Sequence, residues 1–125
     1  MPTLKEISSS RYASLTTFRK DGTPVASPLW VLPDGAGVAF WTITDSWKVK
    51  RARNNPRVIV TACDIRGRLT GAPVEGTARI GDDTDRARIA RALGRKYWIT
   101  GRIGLIRNAL SRRPGRITVI LVDPA

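Results

Sequence analysis

Five cations, Lys48, Lys50, Arg51, Arg53 and Arg57, fall within ten consecutive residues, just behind a threonine, Thr42, and a serine, Ser46. The chemistry open to such a cluster is anion binding. A helix that begins near Ser46 presents unpaired backbone N–H groups and the positive end of its macrodipole, and both favour an anion. Thr42 and Ser46 can add hydroxyl donors, Lys48 falls in the first turn, and Lys48 and Arg51 share a helix face at i and i+3 spacing. Together they could hold a phosphate monoester. The same residues also fit a plain solvated helix face on which Ser46 serves only as a cap, because Ser-x-Lys is a short and common pattern. Spacing leaves both readings open.

Other chemistries are poorly supplied. The chain has no histidine and one cysteine, Cys63, so zinc sites, Ser-His triads and an intrachain disulfide lack their parts. No metal site is expected. Asp64 and Glu75 stand at no spacing that signals acid/base work, and Cys63, in an apolar strand, reads as a small buried hydrophobe. Tyr12 and Tyr97 offer phenols, which are poor proton donors unless their surroundings tune them. No catalytic residue is assigned. That pattern suits an enzyme whose cofactor carries the redox step while the protein binds and orients. Of the four tryptophans, Trp30 and Trp41 lie on strands and read as core or interface residues, with Trp30 a candidate cofactor contact. Trp47 and Trp98 are expected to pack.

The elements that must position these residues follow from periodicity. Tyr12 to Phe18 and Val25 to Leu32 read as a hairpin about Lys20-Asp21-Gly22. A turn at Pro33-Asp34-Gly35 leads to a third strand, Gly37 to Ile43. A short helix from Asp45 or Ser46 to Arg53 is closed by Asn54-Asn55-Pro56. Arg57 to Cys63 is a fourth strand, and a fifth runs from Leu69 or Val74 to Ile80, with Gly71, Pro73 and Gly76 hinting at a bulge or bend. Acids at Asp82, Asp83 and Asp85 open a helix that Arg91, Arg95 and Lys96 close. Ile99, Ile103, Ile106 and Leu110 suggest another helix, and Ile117 to Val122 a last strand. The order fits a mainly β fold with flanking helices, an antiparallel barrel without βαβ units.

The 125 residues and 42% hydrophobic content suit one domain spanning 1–125. With 22 Lys and Arg against 10 Asp and Glu, the formal charge of +12 favours anionic ligands. No apolar run reaches the ~20 residues that cross a bilayer, and Met1 to Ser10 lacks a signal peptide's apolar stretch. A cytoplasmic protein without a membrane partner is expected.

Three blocks carry a family resemblance. Trp41-Thr42-Ile43-Thr44-Asp45-Ser46-Trp47-Lys48 with Asn55-Pro56-Arg57-Val58, Leu15 to Pro24, and Gly71 to Gly76 resemble the pyridoxamine 5′-phosphate oxidase-like split-barrel superfamily. More narrowly, they are similar to its actinobacterial flavin/deazaflavin oxidoreductases, the class dependent on coenzyme F420. The resemblance runs from about Tyr12 to Ile80. It implies a six-stranded antiparallel split β-barrel (FMN-binding split barrel), a homodimer, and two cofactors in clefts at the subunit interface. It also implies that Ser46 and Lys48 contact the cofactor phosphate, with Thr42 a nearby hydroxyl, and that the strand Ser27, Pro28, Leu29 and Trp30 runs beside the isoalloxazine-type ring. Lys50 and Arg51 extend the basic groove. Where the namesake oxidases begin that strand with arginine and end it with a phosphate-binding lysine, this chain has Ala26 and Val31, which argues against their activity.

Charge favours coenzyme F420 over FMN, since the deazaflavin's phosphodiester and oligoglutamate tail need a basic groove. Lys48 to Arg57 could supply it, with Arg91, Arg95 or Arg112 of the same or the partner chain. The expected activity is hydride transfer to a small unsaturated substrate. The alternatives are an FMN-dependent oxidoreductase, a non-catalytic flavin, haem or F420 carrier, and a basic barrel for single-stranded nucleic acid. Nucleic acid is not the expected partner, because only 6% of residues are aromatic and the tryptophans mostly sit in apolar surroundings.

Overall fold

Six strands set the architecture of the computed structural model, which describes residues 3–43, 46–97 and 117–125. The strands are β1 (Tyr12–Phe18), β2 (Pro24–Asp34), β3 (Gly37–Ile43), β4 (Arg57–Cys63), β5 (Val74–Ile80) and β6 (Ile117–Pro124). They close into an antiparallel barrel in the order β1-β2-β3-β6-β5-β4. Inward positions carry Ala13, Leu15, Val31, Val38, Phe40, Val58, Val60, Ile120 and Val122, all fully or almost fully buried. Closure leaves no free strand edge. This is the six-stranded barrel with flanking helices that the sequence implied.

Among the described residues three helices flank it: α1 (Leu4–Ile7), α2 (Trp47–Asn54) and α3 (Asp83–Tyr97). Leu4 and Ile7 of α1 and Val49 and Ala52 of α2 belong to the same core cluster as the inward strand residues. The two helices therefore plug opposite ends of the barrel. At the α2 end lie the close of β1, the start of β2 and the hairpin between them. That hairpin turns at Gly22, whose φ of 91° is open to glycine at little cost. The third helix covers the outer wall, where Ile89 and Leu93 pack on Leu32, Ala39, Val119 and Leu121 beside Trp30 and Trp41.

A reciprocal capping box starts α3, with the Asp85 amide donating to Asp82 Oδ1 at 2.9 Å and the Asp82 amide to Asp85 Oδ2 at 3.1 Å. Arg88 then joins the helix to Asp34 at the β2–β3 hairpin and to Asp85 at 3.0 Å. Asp85 is held below the ordinary carboxylate value of 3.8, first by its bond with Arg88 and then by the Asp82 amide. A depressed carboxylate stabilises the fold above its unfolded value and loses that contribution as pH falls through the folded value. The gap in urea midpoint between wild type and Asp85→Asn is thus expected to be full above about pH 5 and to shrink in more acid solution. A gap that grows on acidification would contradict it.

The structure departs from the sequence expectations in a few places. β2 runs two residues further, because Pro33 and Asp34 pair with Val38 and Gly37. β5 starts at Val74, with Leu69 making only an isolated bridge to Cys63. No bulge interrupts β5 at Gly76, which stays in register opposite Val58. The short helix α1 was not foreseen. The helix expected around Ile99 to Leu110, together with Trp98 and Arg112, lies outside the described residues.

Candidate functional site

The residues proposed to hold an anion are brought together at the α2 end of the barrel. Ser46 occupies the N-cap position with extended backbone, yet its side chain makes no cap hydrogen bond. The simple capping role is therefore not realised. Ser46 Oγ is buried and has no hydrogen-bond partner among the described residues. A buried hydroxyl without a partner costs free energy, which a ligand oxygen arriving there would recover. Lys48, partly buried in the first turn, is pushed below its ordinary value by burial and then by the charge of Arg51. It has no ion-pair partner among the described residues.

Arg51 is anchored rather than free. Its Nε donates to Thr17 Oγ1 of β1 at 2.7 Å, and the Thr17 side chain is fully buried. Lys50 lies over the Trp47 ring, 4.6 Å from its centroid, and Trp47 is 71% exposed. The expected packing of Trp47 is not seen in this chain. Val49 and Ala52 take the buried face of α2, which leaves Trp47 on the opposite side.

Beside these residues a cleft of about 850 Å³ opens between α2 and the β1–β2 hairpin. Lys50, Arg51 and Trp47 line it together with Phe18, Arg19 and Lys20, which the sequence reading did not assign. The remaining candidates lie elsewhere. Pro28, Leu29 and Trp30 line a second hollow of about 400 Å³ on the outer wall, with Tyr12, Trp41 and Ile65. Trp41 Nε1 is buried there without a partner among the described residues. Ser27 pairs with Leu15 at an inward-facing position, and Thr42 is buried opposite Thr118. Helix α2 and the strand segment Pro28 to Trp30 thus line different hollows.

Arg91 and Arg95 are exposed on α3, which packs on β2 and β6, whereas α2 packs on β1 and β5. Cys63 is buried, and burial followed by the charge of Asp64 raises its thiol, which suits the inert hydrophobe expected. Asp64 caps its own loop by accepting from the amides of Arg66 and Arg68, and Glu75 pairs with Arg57 at 2.8 Å across exposed strands. Among the described residues no group of His, Cys, Asp and Glu could hold a metal, and no helix is long and apolar enough to cross a membrane.

The sequence profile of the family described as pyridoxamine 5′-phosphate oxidase matches residues 2–125. The chain belongs to this family. Solved structures in the same fold surround this pyridoxamine 5′-phosphate oxidase family member. One is an F420 reductase, with a TM-score of 0.70 and 24% identity over 100% of this chain and 96% of that one. HutZ, the heme storage protein from Vibrio cholerae, has a TM-score of 0.72 and 13% identity over 97% and 87% of the chains. A pyridoxamine 5′-phosphate oxidase structure from Listeria innocua has a TM-score of 0.67 and 18% identity over 94% and 86%. At these identities the likeness concerns the fold. No curated protein matches this family member significantly in sequence.

Proposed function

We propose that the chain is a homodimeric oxidoreductase that uses a flavin-type cofactor, coenzyme F420 in preference to FMN, to reduce a small unsaturated substrate. The observation that carries the reading is the α2 N-terminus. There, Ser46 Oγ and Lys48, neither of them paired among the described residues, stand at a helix start, whose first N–H groups lack intrahelical acceptors, a donor set suited to a phosphate oxygen. When bound, the reduced cofactor supplies hydride. The protein's own part is to fix the phosphate with Ser46 and Lys48 and to steady Arg51 through Thr17.

The preference for coenzyme F420 rests on the formal charge of +12, which favours a polyanionic cofactor, and on the shared fold of the F420 reductase. Ala26 and Val31, standing where the namesake oxidases have arginine and lysine, argue against oxidation of pyridoxamine phosphate. A carrier role, for which the fold of HutZ is a precedent, differs in the absence of turnover. Substrate-driven oxidation of the bound reduced cofactor separates the two.

Fluorescence titration of the purified protein with coenzyme F420 and with FMN tests the reading, and no saturable binding of either would overturn it. Lys48→Ala is expected to weaken binding by about 1.5–3 kcal/mol, the usual worth of a hydrogen bond to a charged group. An unchanged affinity would refute the assigned phosphate contact.

A further inference from the structure

The cleft between the β1–β2 hairpin and α2 holds more positive charge than a phosphate anchor needs, and holds it apart from Ser46 and Lys48, which do not line it. Arg19 and Lys20 come from the hairpin and Lys50 and Arg51 from α2. None of the four forms an ion pair among the described residues, while Arg57, Arg79, Arg86 and Arg88 all do. The acid nearest in sequence, Asp21, turns its carboxylate to the Thr23 amide at 2.9 Å and feels Arg19 only as a lesser influence. Arg51 is pushed below its ordinary value, first by burial and then by the charge of Arg19. Like charges gathered without counter-charge destabilise the fold, and a bound anion relieves that repulsion.

The wall of the cleft adds a second, different signal. Trp47 is 71% exposed and is held at its edge with Lys50 over one face of the ring. An exposed indole among cations serves a ligand with a flat apolar part, because such a ring stacks on planar groups at small entropic cost. The volume of about 850 Å³ lies in the range of small-molecule sites. Arginine and lysine together suit carboxylates, arginine through its two-pronged fork and lysine as a point charge.

We infer that this cleft binds a planar small molecule carrying two or more carboxylates, stacked on Trp47 and paired with Arg19, Lys20, Lys50 and Arg51. Binding itself requires no cofactor.

Calorimetric titration of the full chain with trimesate, a planar aromatic tricarboxylate, tests the site. Saturable binding is expected, weakened at least ~10-fold in the Arg19→Ala/Lys20→Ala double variant, about 1.4 kcal/mol or more. FMN affinity is expected to be unchanged in that variant, whereas Lys48→Ala weakens FMN and spares trimesate. Trp47→Leu is expected to weaken trimesate and to leave citrate, an aliphatic tricarboxylate, unaffected. Absent saturable trimesate binding, or equal affinity in the double variant, overturns the site. Equal effects of Trp47→Leu on trimesate and citrate overturn the planar requirement. Failure of coenzyme F420 and FMN to bind while trimesate binds would sink the cofactor reading and leave this site standing.

Discussion

Lys96→Met is expected to lower the unfolding free energy by about 2–4 kcal/mol, because one ammonium joins three separate parts of the chain. Lys96 Nζ, at the end of α3, donates to the carbonyls of Ser8 at 2.6 Å, Ser10 at 2.5 Å and Val31 at 2.6 Å. The segment after α1, strand β2 and helix α3 thus meet at a single group. Burial pushes the amine down to about 8, and the three carbonyl oxygens work in the opposite direction by preferring the ammonium. At neutral pH it is charged, and each bond is of the charge-assisted kind. Full additivity is not expected, since the side chain is only half buried and the bonds share one donor. Methionine keeps the length and apolar stem while removing every donor. Urea unfolding monitored by circular dichroism measures the loss, and a change under ~1 kcal/mol would show the three bonds to be incidental.

Gly37→Ala comes next, with an expected loss of about 3 kcal/mol, the upper part of the range for overpacking. A Cβ at Gly37 would be driven into the carbonyl oxygen of Val122, with its carbonyl carbon at 3.1 Å and Asp123 Cα at 3.3 Å. Relief by local movement is blocked, because Val122 is paired with Val38 on one side and Ala78 on the other. Gly22→Ala makes the contrast: nothing lies within 4 Å of its Cβ position, so only the left-handed φ is penalised. About 1 kcal/mol is expected there. Equal losses at the two sites would show that backbone crowding at β6 is not the cause.

Much of this fold was readable because its strands are apolar, β-branched runs bounded by turn residues. Val38, Phe40, Ile120 and Val122 face inward, and Ala39, Val119 and Leu121 face α3, so both faces of β3 and β6 are apolar and both helices and strands announce themselves. The errors sit where two signals compete. Pro33 and Asp34 look like a turn, yet they stay paired in β2 because the two-residue loop Gly35-Ala36 makes the reversal. Helix α1 has only four residues, too few for a period to show. Its start was nonetheless written in the sequence, since Thr3 accepts from the Glu6 amide at 3.2 Å in a T-x-x-E pattern.

Legibility of the site followed the same physics. Ser46 and Lys48 were accessible because a helix N-terminus is a local feature. Arg19 and Lys20 lie about thirty residues away in the chain, and only barrel closure brings that hairpin to α2. The exposure of Trp47 could have been found, because the helical period of Val49 and Ala52 already turns it outward.

The role of α2 as a plug makes ligand binding and unfolding one equilibrium. Val49 and Ala52 belong to the central core, and Arg51 is bonded to buried Thr17, so the helix cannot leave without opening the barrel. A ligand held by α2 therefore raises the stability of the whole domain, by about 2.7 kcal/mol at a concentration one hundred times its Kd. Thermal melting becomes a direct assay of occupancy for any cofactor or anion offered to this end of the molecule.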